Sequence, residues 1–275
     1  MKLTFRFIPT PLKLFIKKTI RSLQLRMYKV VNRETMIPPK ALRFVGDSDF
    51  LKTGQEFKQH FINLAGLKPT DRILDVGCGI GRMAIPLTSF LSKNGEYWGI
   101  DIVKEGIDWC SSRITKNFSN FHFLHSNVYN KAYNEKGTIL ASEYSFPFEN
   151  NHFDFIYLTS VFTHMLPADL QNYLSEISRV LKTGGKCLIT YFIFNKETET
   201  LVQSGLTTQK FIYKLDGCLT TNKDIPEAAV AYREEVVRDM YRKLNLKIIE
   251  PIHWGSWCER KTTLSYQDIV IAEKT

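Results

Sequence analysis

The segment Ile73-Leu74-Asp75-Val76-Gly77-Cys78-Gly79-Ile80-Gly81-Arg82 puts a carboxylate near the end of an apolar run and glycine at every second position after it. Glycines so spaced let a backbone turn sharply and pass close to a ligand, in conformations that a Cβ would forbid. A helix starting at the end of such a loop offers free N–H groups and the positive end of its dipole. A second carboxylate, Asp101, closes the apolar run Tyr97-Trp98-Gly99-Ile100, 20 residues beyond Gly81. An acid at that distance can accept hydrogen bonds from both hydroxyls of a ribose. Dinucleotide sites usually read G-x-G-x-x-G, whereas this loop reads G-x-G-x-G. Asp75, two residues before the first glycine, would repel a pyrophosphate and attract a cationic amino group.

These residues need strands that end together and helices that start beside them, and the rest of the sequence supplies the pattern. Strands are predicted over Arg72–Val76, Tyr97–Ile100, Phe121–Leu124, Phe153–Leu158 and Lys186–Phe194. Helices are predicted over Arg82–Leu91, Glu105–Lys116 and Pro167–Leu181. Alternation of this kind implies βαβ units and a parallel sheet covered on both faces. A further helix is expected to start near Phe50, capped from Asp47, Ser48 or Asp49, with Phe50, Phe57, Phe61 and Leu64 as its apolar face. Residues 195–227 read as a polar, irregular insertion with a hairpin over Lys214–Thr221. Glu227–Leu244 reads as a long helix, and Leu246–Trp254 and Tyr266–Ala272 as closing strands.

The loop and its surroundings resemble motif I of the class I S-adenosylmethionine-dependent methyltransferases. Further segments add to the likeness: Phe121–Val128, Ser145-Phe146-Pro147-Phe148 with Phe153–Ile156, and Leu174–Gly185. The resemblance covers roughly residues 50–275. It implies an α/β, Rossmann-like, doubly wound seven-stranded sheet, mostly parallel, with helices on both faces and the last strand antiparallel. It also implies S-adenosylmethionine as cofactor. Carried over by position, Asp75, Gly77, Cys78 and Gly79 would meet the methionine end, Asp101 the ribose, and Ile102 and Val128 the two faces of the adenine. Ser160 would approach the cofactor through its backbone. Asn127 stands where the family usually has Asp against the adenine; another register would put that position near Ser142. Gly81 either touches the cofactor or packs the following helix. Ile102 and Val128 are equally readable as core residues.

Methyl transfer from a sulfonium needs chiefly alignment, and a general base when the acceptor is a hydroxyl. After the fourth strand the chain reads Thr159-Ser160-Val161-Phe162-Thr163-His164. The Asn/Asp-Pro-Pro-aromatic run common in methyltransferases of nucleic-acid bases is not there. His164 falls beyond a strand's carboxyl end, where open α/β sheets bind ligands. It is the candidate base, or else a helix-start histidine bonded to backbone. O-methylation of a small-molecule, sugar or lipid-linked acceptor is therefore expected, with Trp254, Trp257 and residues 195–227 covering the acceptor. Competing readings are an NAD-dependent oxidoreductase and a nucleic-acid-binding methyltransferase or adaptor.

The 275 residues carry a net charge of +9, all of it within residues 1–40, where ten Lys/Arg face the single acid Glu34. A nucleic-acid track across the remaining, neutral part is disfavoured. Leu12, Ile16, Ile20, Leu23 and Met27 form one helical stripe flanked by Lys13, Lys17 and Arg21. Residues 1–40 thus form a basic amphipathic arm, with residues 12–29 able to lie on an anionic membrane, pack on the domain, or serve as a targeting segment. Residues 41–275 are assigned to the catalytic domain. Five scattered cysteines suggest neither a disulfide framework nor a zinc site and fit a reducing, cytoplasmic location, peripheral to a membrane if the arm binds one.

Overall fold

The computed structural model describes residues 35–44, 49–131, 133–205 and 207–275; the arm predicted over residues 12–29 lies outside them. Among the described residues the main sheet has the strand order β10-β11-β5-β4-β1-β2-β3. Its strands are β1 (Arg72–Val76), β2 (Glu96–Asp101), β3 (Phe121–His125), β4 (Phe153–Leu158), β5 (Leu181–Tyr191), β10 (Leu246–Ile248) and β11 (Asp268–Lys274). Only β11 runs antiparallel to its neighbours, β5 and β10. The chain winds outward from β1 to β3 on one side and to β4 and β5 on the other. The switch in strand order therefore falls between β1 and β4, where such sheets open a crevice at the strands' carboxyl ends.

Side chains alternate across the sheet with period two, and each face has its own core. Leu74, Val76, Ile156 and Leu158 join the cluster under α4 (Pro167–Val180) and α6 (Glu234–Lys243). Ile73, Phe155 and Tyr157 join the cluster under α1 (Phe50–Asn63), α2 (Ala84–Leu87) and α3 (Lys104–Cys110). Asp49 caps α1 by accepting the Lys52 N–H, which satisfies one of the donors left open in a first helical turn. Phe61 is wholly buried there and stacks on Tyr157 with ring centroids 4.2 Å apart. The packing of this domain takes in Met36, before residue 41, which lies against the same cluster as Leu42 and Phe44.

Several elements differ from the sequence prediction. The helix expected over Arg82–Leu91 is a single α-turn, α2, flanked by tight turns. Met83, Ala84 and Leu87 still fill the core, so the apolar pattern reflects burial rather than helix length. The helix expected over Glu227–Leu244 starts only at Glu234. Val230–Arg233 before it forms strand β9 instead, whose Val230, Ala231 and Tyr232 are buried. β9 pairs with β8 (Cys218–Thr220), which pairs with β7 (Tyr213–Leu215), the predicted hairpin, and its other edge takes β6 (Ile193–Phe194). This second sheet packs with α5 (Lys196–Gln203), a helix where an irregular stretch is expected, on a small core of Phe192, Phe194, Phe211 and Trp257. Asp268 anchors that core. Wholly buried, it accepts N–H groups from Ile193, Gly255 and the Trp257 ring at 2.7–2.8 Å. The closing strands are shifted: β10 stops at Ile248, and β11 runs from Asp268.

Phe61→Ala should remove about 3–5 kcal/mol of stability through the cavity it leaves against Tyr157 and Phe155. Guanidinium unfolding would read this as a lower midpoint at constant slope; an unchanged midpoint would mean that α1 is peripheral to the core.

Candidate active site

The carboxyl ends of β1, β2 and β4 open into a cavity of about 1010 Å³. One end is built from the predicted loop. Gly77 takes φ +84°, and a Cβ there would stand 2.3 Å from Val161 Cγ2, so the β1 loop and the loop after β4 touch only because residue 77 has no side chain. Val76, Gly77, Cys78 and Gly79 line the wall. Asp101 faces them from the end of β2. Its Oδ2 accepts the Gly79 N–H at 2.6 Å and its Oδ1 the Val103 N–H at 2.7 Å. Burial pushes the Asp101 carboxyl above its ordinary range, and these backbone bonds pull it partly back. Each oxygen keeps a lone pair for a further donor, as a ribose would require. Ile102 and Val128 lie along the same wall. A backbone cradle, a carboxylate with acceptor capacity and two apolar flanks together fit S-adenosylmethionine.

Not every predicted residue reaches this wall. Asp75 is wholly buried beneath the loop and does not line the cavity. Its Oδ2 accepts the hydroxyls of Tyr97 at 2.6 Å and Tyr157 at 2.9 Å, while Oδ1 has no partner. Burial pushes its carboxyl up to about 7 despite the two tyrosines, with Asp101 adding to the rise and Arg82 opposing it. Its effect on a ligand would pass through the loop and the field, without direct contact. Gly81 also stays outside: a Cβ there would meet Ile114 and Cys110 at 2.8 and 3.0 Å, so its place is helix packing. Asn127 is exposed, its amide bonded to Thr138 Oγ1. The residue before it, Ser126, turns inward, lines the cavity and bonds the Tyr144 hydroxyl at 2.8 Å. The burial alternation of β3 breaks at its end, where Leu124 and His125 are both exposed, and residue 126 falls inside and residue 127 outside. Ser142 does not line the cavity, although Ala141 does.

The cavity also takes in residues from later segments. His164 sits on a 3-10 turn after β4, and its Nδ1 lies 2.9 Å from the Glu227 carbonyl oxygen. That carbonyl can only accept, so Nδ1 is the donor and Nε2 is the ring nitrogen left for another group. Asp169, Tyr173 and Phe192 also line the cavity. So does Gln267, which the sequence reading missed for want of any local pattern. Its Oε1 accepts hydroxyl protons from Thr190 at 2.7 Å and Ser160 at 3.0 Å. Thr190 Oγ1 in turn accepts the Ser160 N–H at 2.8 Å, which holds Ser160 at a left-handed φ of +59°. With its oxygen so engaged, Gln267 has its amide N–H₂ left to donate. Trp257, expected over the acceptor, is wholly buried in the small core, and Trp254 lies under the Arg260 guanidinium; neither lines the cavity. From residues 195–227, Gln209, Thr221 and Glu227 do.

The raised Asp75 carboxyl gives a pH prediction. Its proton is held more tightly in the fold than in the unfolded chain. The favourable linkage is therefore complete below the unfolded value of about 4 and is lost as pH rises to about 7. Asp75→Asn keeps an acceptor for the tyrosines and removes the ionisation. Its stability should gain on the wild type between pH 4 and pH 7 and hold that gain above, by on the order of 4 kcal/mol at most, read as a rising difference in thermal midpoint. Parallel midpoint curves without cofactor would refute this account of Asp75.

A family profile described as a methyltransferase domain matches residues 74–189. The chain is 26% identical over 143 residues to the tRNA N(3)-cytidine methyltransferase METTL2 of Gallus gallus, covering 49% of this chain and 34% of that protein. It is 30% identical over 143 residues to the sterol 24-C-methyltransferase erg6 of Schizosaccharomyces pombe, covering 52% and 33%. The matches thus span about a third of the length of these relatives. The fold superposes on the 1,6-didemethyltoxoflavin-N1-methyltransferase of Burkholderia thailandensis, a structure with bound S-adenosylhomocysteine. The TM-score is 0.52 at 14% identity, over 99% of this chain and 93% of that one. Residues 74–189 thus match a methyltransferase domain, on a fold shared with an enzyme that holds S-adenosylhomocysteine.

Proposed function

We propose that this protein transfers a methyl group from S-adenosylmethionine to a hydroxyl of a small-molecule, sugar or lipid-linked acceptor, within a catalytic domain assigned to residues 41–275. The observation that carries the reading is His164: an imidazole in the same cavity as the glycine loop, whose Nδ1 lies on a backbone carbonyl, which leaves Nε2 as the nitrogen that could take a proton. The cofactor, when bound, supplies an electrophilic methyl on a sulfonium. Asp101 holds the ribose, and Ile102 and Val128 flank the base. Gly77, Cys78 and Gly79 give the methionine end a wall without bulk. Ser160 approaches through its backbone. His164 takes the acceptor's hydroxyl proton on Nε2, and Gln267 donates to an oxygen of the acceptor to aim it. Positioning is the larger contribution, because a sulfonium needs no acid to leave.

Calorimetry with S-adenosylmethionine tests the cofactor half. Asp101→Ala should lower affinity roughly ten- to hundredfold, the worth of hydrogen bonds to a charged group. Equal affinity would remove Asp101 from the site. For the transfer half, tritium-labelled S-adenosylmethionine is offered with polar metabolites, a lipid extract and bulk tRNA in parallel. Label should enter one of the first two. His164→Gln should slow it by about 10² to 10⁴ while cofactor affinity holds within a factor of about two. Label in the tRNA alone, or full activity in His164→Gln, would overturn the hydroxyl assignment.

A further inference from the structure

Large apolar side chains stand exposed at eleven described positions, and nine of these lie on three segments that border one opening. On the loop after β3, Tyr129, Tyr133 and Leu140 are about half exposed and line the cavity mouth. Tyr266 lines it from the opposite side, with its hydroxyl bonded to Thr208. Next to Thr208 comes the β7–β8 hairpin, whose edge presents Ile212, 64% exposed, and Tyr213. The hairpin belongs to the mouth: a Cβ on Gly217, at its turn, would stand 3.2 Å from Pro167 at the start of α4, and Thr221 just past it lines the cavity.

Lysines alternate with these side chains. Lys131, Lys136, Lys210, Lys214 and Lys223 are all exposed, against the exposed Glu135, Asp216 and Asp224 and the half-buried Glu227, so these segments carry a small net positive charge. Aromatic and aliphatic groups mixed with lysine suit the headgroup level of a bilayer, where rings sit among polar groups and cations meet anionic lipid. The arrangement is a rim around a hole. A protein seated on it would close the cavity. A bilayer seated on it would instead open the cavity to molecules dissolved in the membrane.

We propose that this rim is a docking surface for anionic phospholipid membranes, and that the protein rests mouth-down on the bilayer and takes an amphiphilic acceptor from it. The acceptor's polar head reaches His164 and Gln267 while its chain stays in lipid. This assignment of the acceptor rests on the methyl-transfer reading above; the docking surface does not. It is also separate from the basic arm, since every residue invoked lies at or beyond Tyr129.

All five native cysteines are buried, so Tyr133→Cys in the full chain gives one site for an environment-sensitive nitrobenzoxadiazole label. The probes are vesicles of phosphatidylcholine alone and of equal parts phosphatidylcholine and phosphatidylglycerol. Fluorescence should rise several-fold and shift blue on the mixed vesicles, and much less on phosphatidylcholine alone. The same label at Glu149→Cys, before β4 at the far end of the sheet, should not respond. Ile212→Ser with Tyr213→Ser should weaken co-sedimentation about tenfold and leave S-adenosylhomocysteine affinity unchanged. Two results besides a missing vesicle response would overturn the proposal. One is sedimentation with vesicles without any response at position 133, which places the contact elsewhere, the arm included. The other is a response that needs no vesicles and grows with protein concentration, which makes the rim a contact between copies. Cofactor binding without a vesicle response would sink the docking surface alone, and a vesicle response without cofactor binding would sink the methyl-transfer reading alone.

Discussion

Asp101 accepting the Gly79 N–H is the bond on which the cofactor end of this protein depends. It ties the glycine loop after β1 to the end of β2 and closes the crevice between them. The carboxylate can do this only because β1 and β2 run parallel in register, with Val76 beside Ile100. Gly77 completes the corner by letting the loop touch Val161, which brings the loop after β4 to the same place. Three strand ends are thereby fixed around one volume before any ligand enters. The free lone pairs of Asp101 and the cradle beside them are consequences of that closure.

A second carboxylate is kept close by at an electrostatic penalty. Asp75 sits without solvent one strand away from Asp101, and two tyrosine hydroxyls only partly replace the water it has lost. A partly satisfied buried carboxyl is a strained arrangement, and such arrangements gather at functional sites. A cationic group brought near the loop would favour its ionised form, so ligand charge and Asp75 protonation are coupled across the loop backbone.

The acceptor end is built on different principles. Its groups come from the loop after β4, the loop after β3, the second sheet and the residue preceding β11. They meet because Asp268 gathers the Gly255 loop, β6 and Trp257 around one buried carboxyl. The wall around the glycine loop is thus a property of the sheet, and the surroundings of His164 and Gln267 a property of how later segments fold onto it. The same domain can then serve relatives named for tRNA and for sterol substrates.

The sequence by itself determined the winding of the sheet, because strand and helix periods alternate and a glycine loop after an apolar run needs a strand-to-helix turn. It also marked Asp101, Gly77, Gly79 and His164, whose types and spacing are local facts. Tertiary structure decided the rest. Asp75 turned to two tyrosines on neighbouring strands, a meeting visible only once β2 and β4 flank β1. Ser126 rather than Asn127 faces the cavity, since a one-residue phase at a strand end is fixed by packing and not by composition. Gln267 gained its role from Thr190 and Ser160, 77 and 107 residues away. Contacts at that range leave no period in the chain, so only the folded arrangement contains them.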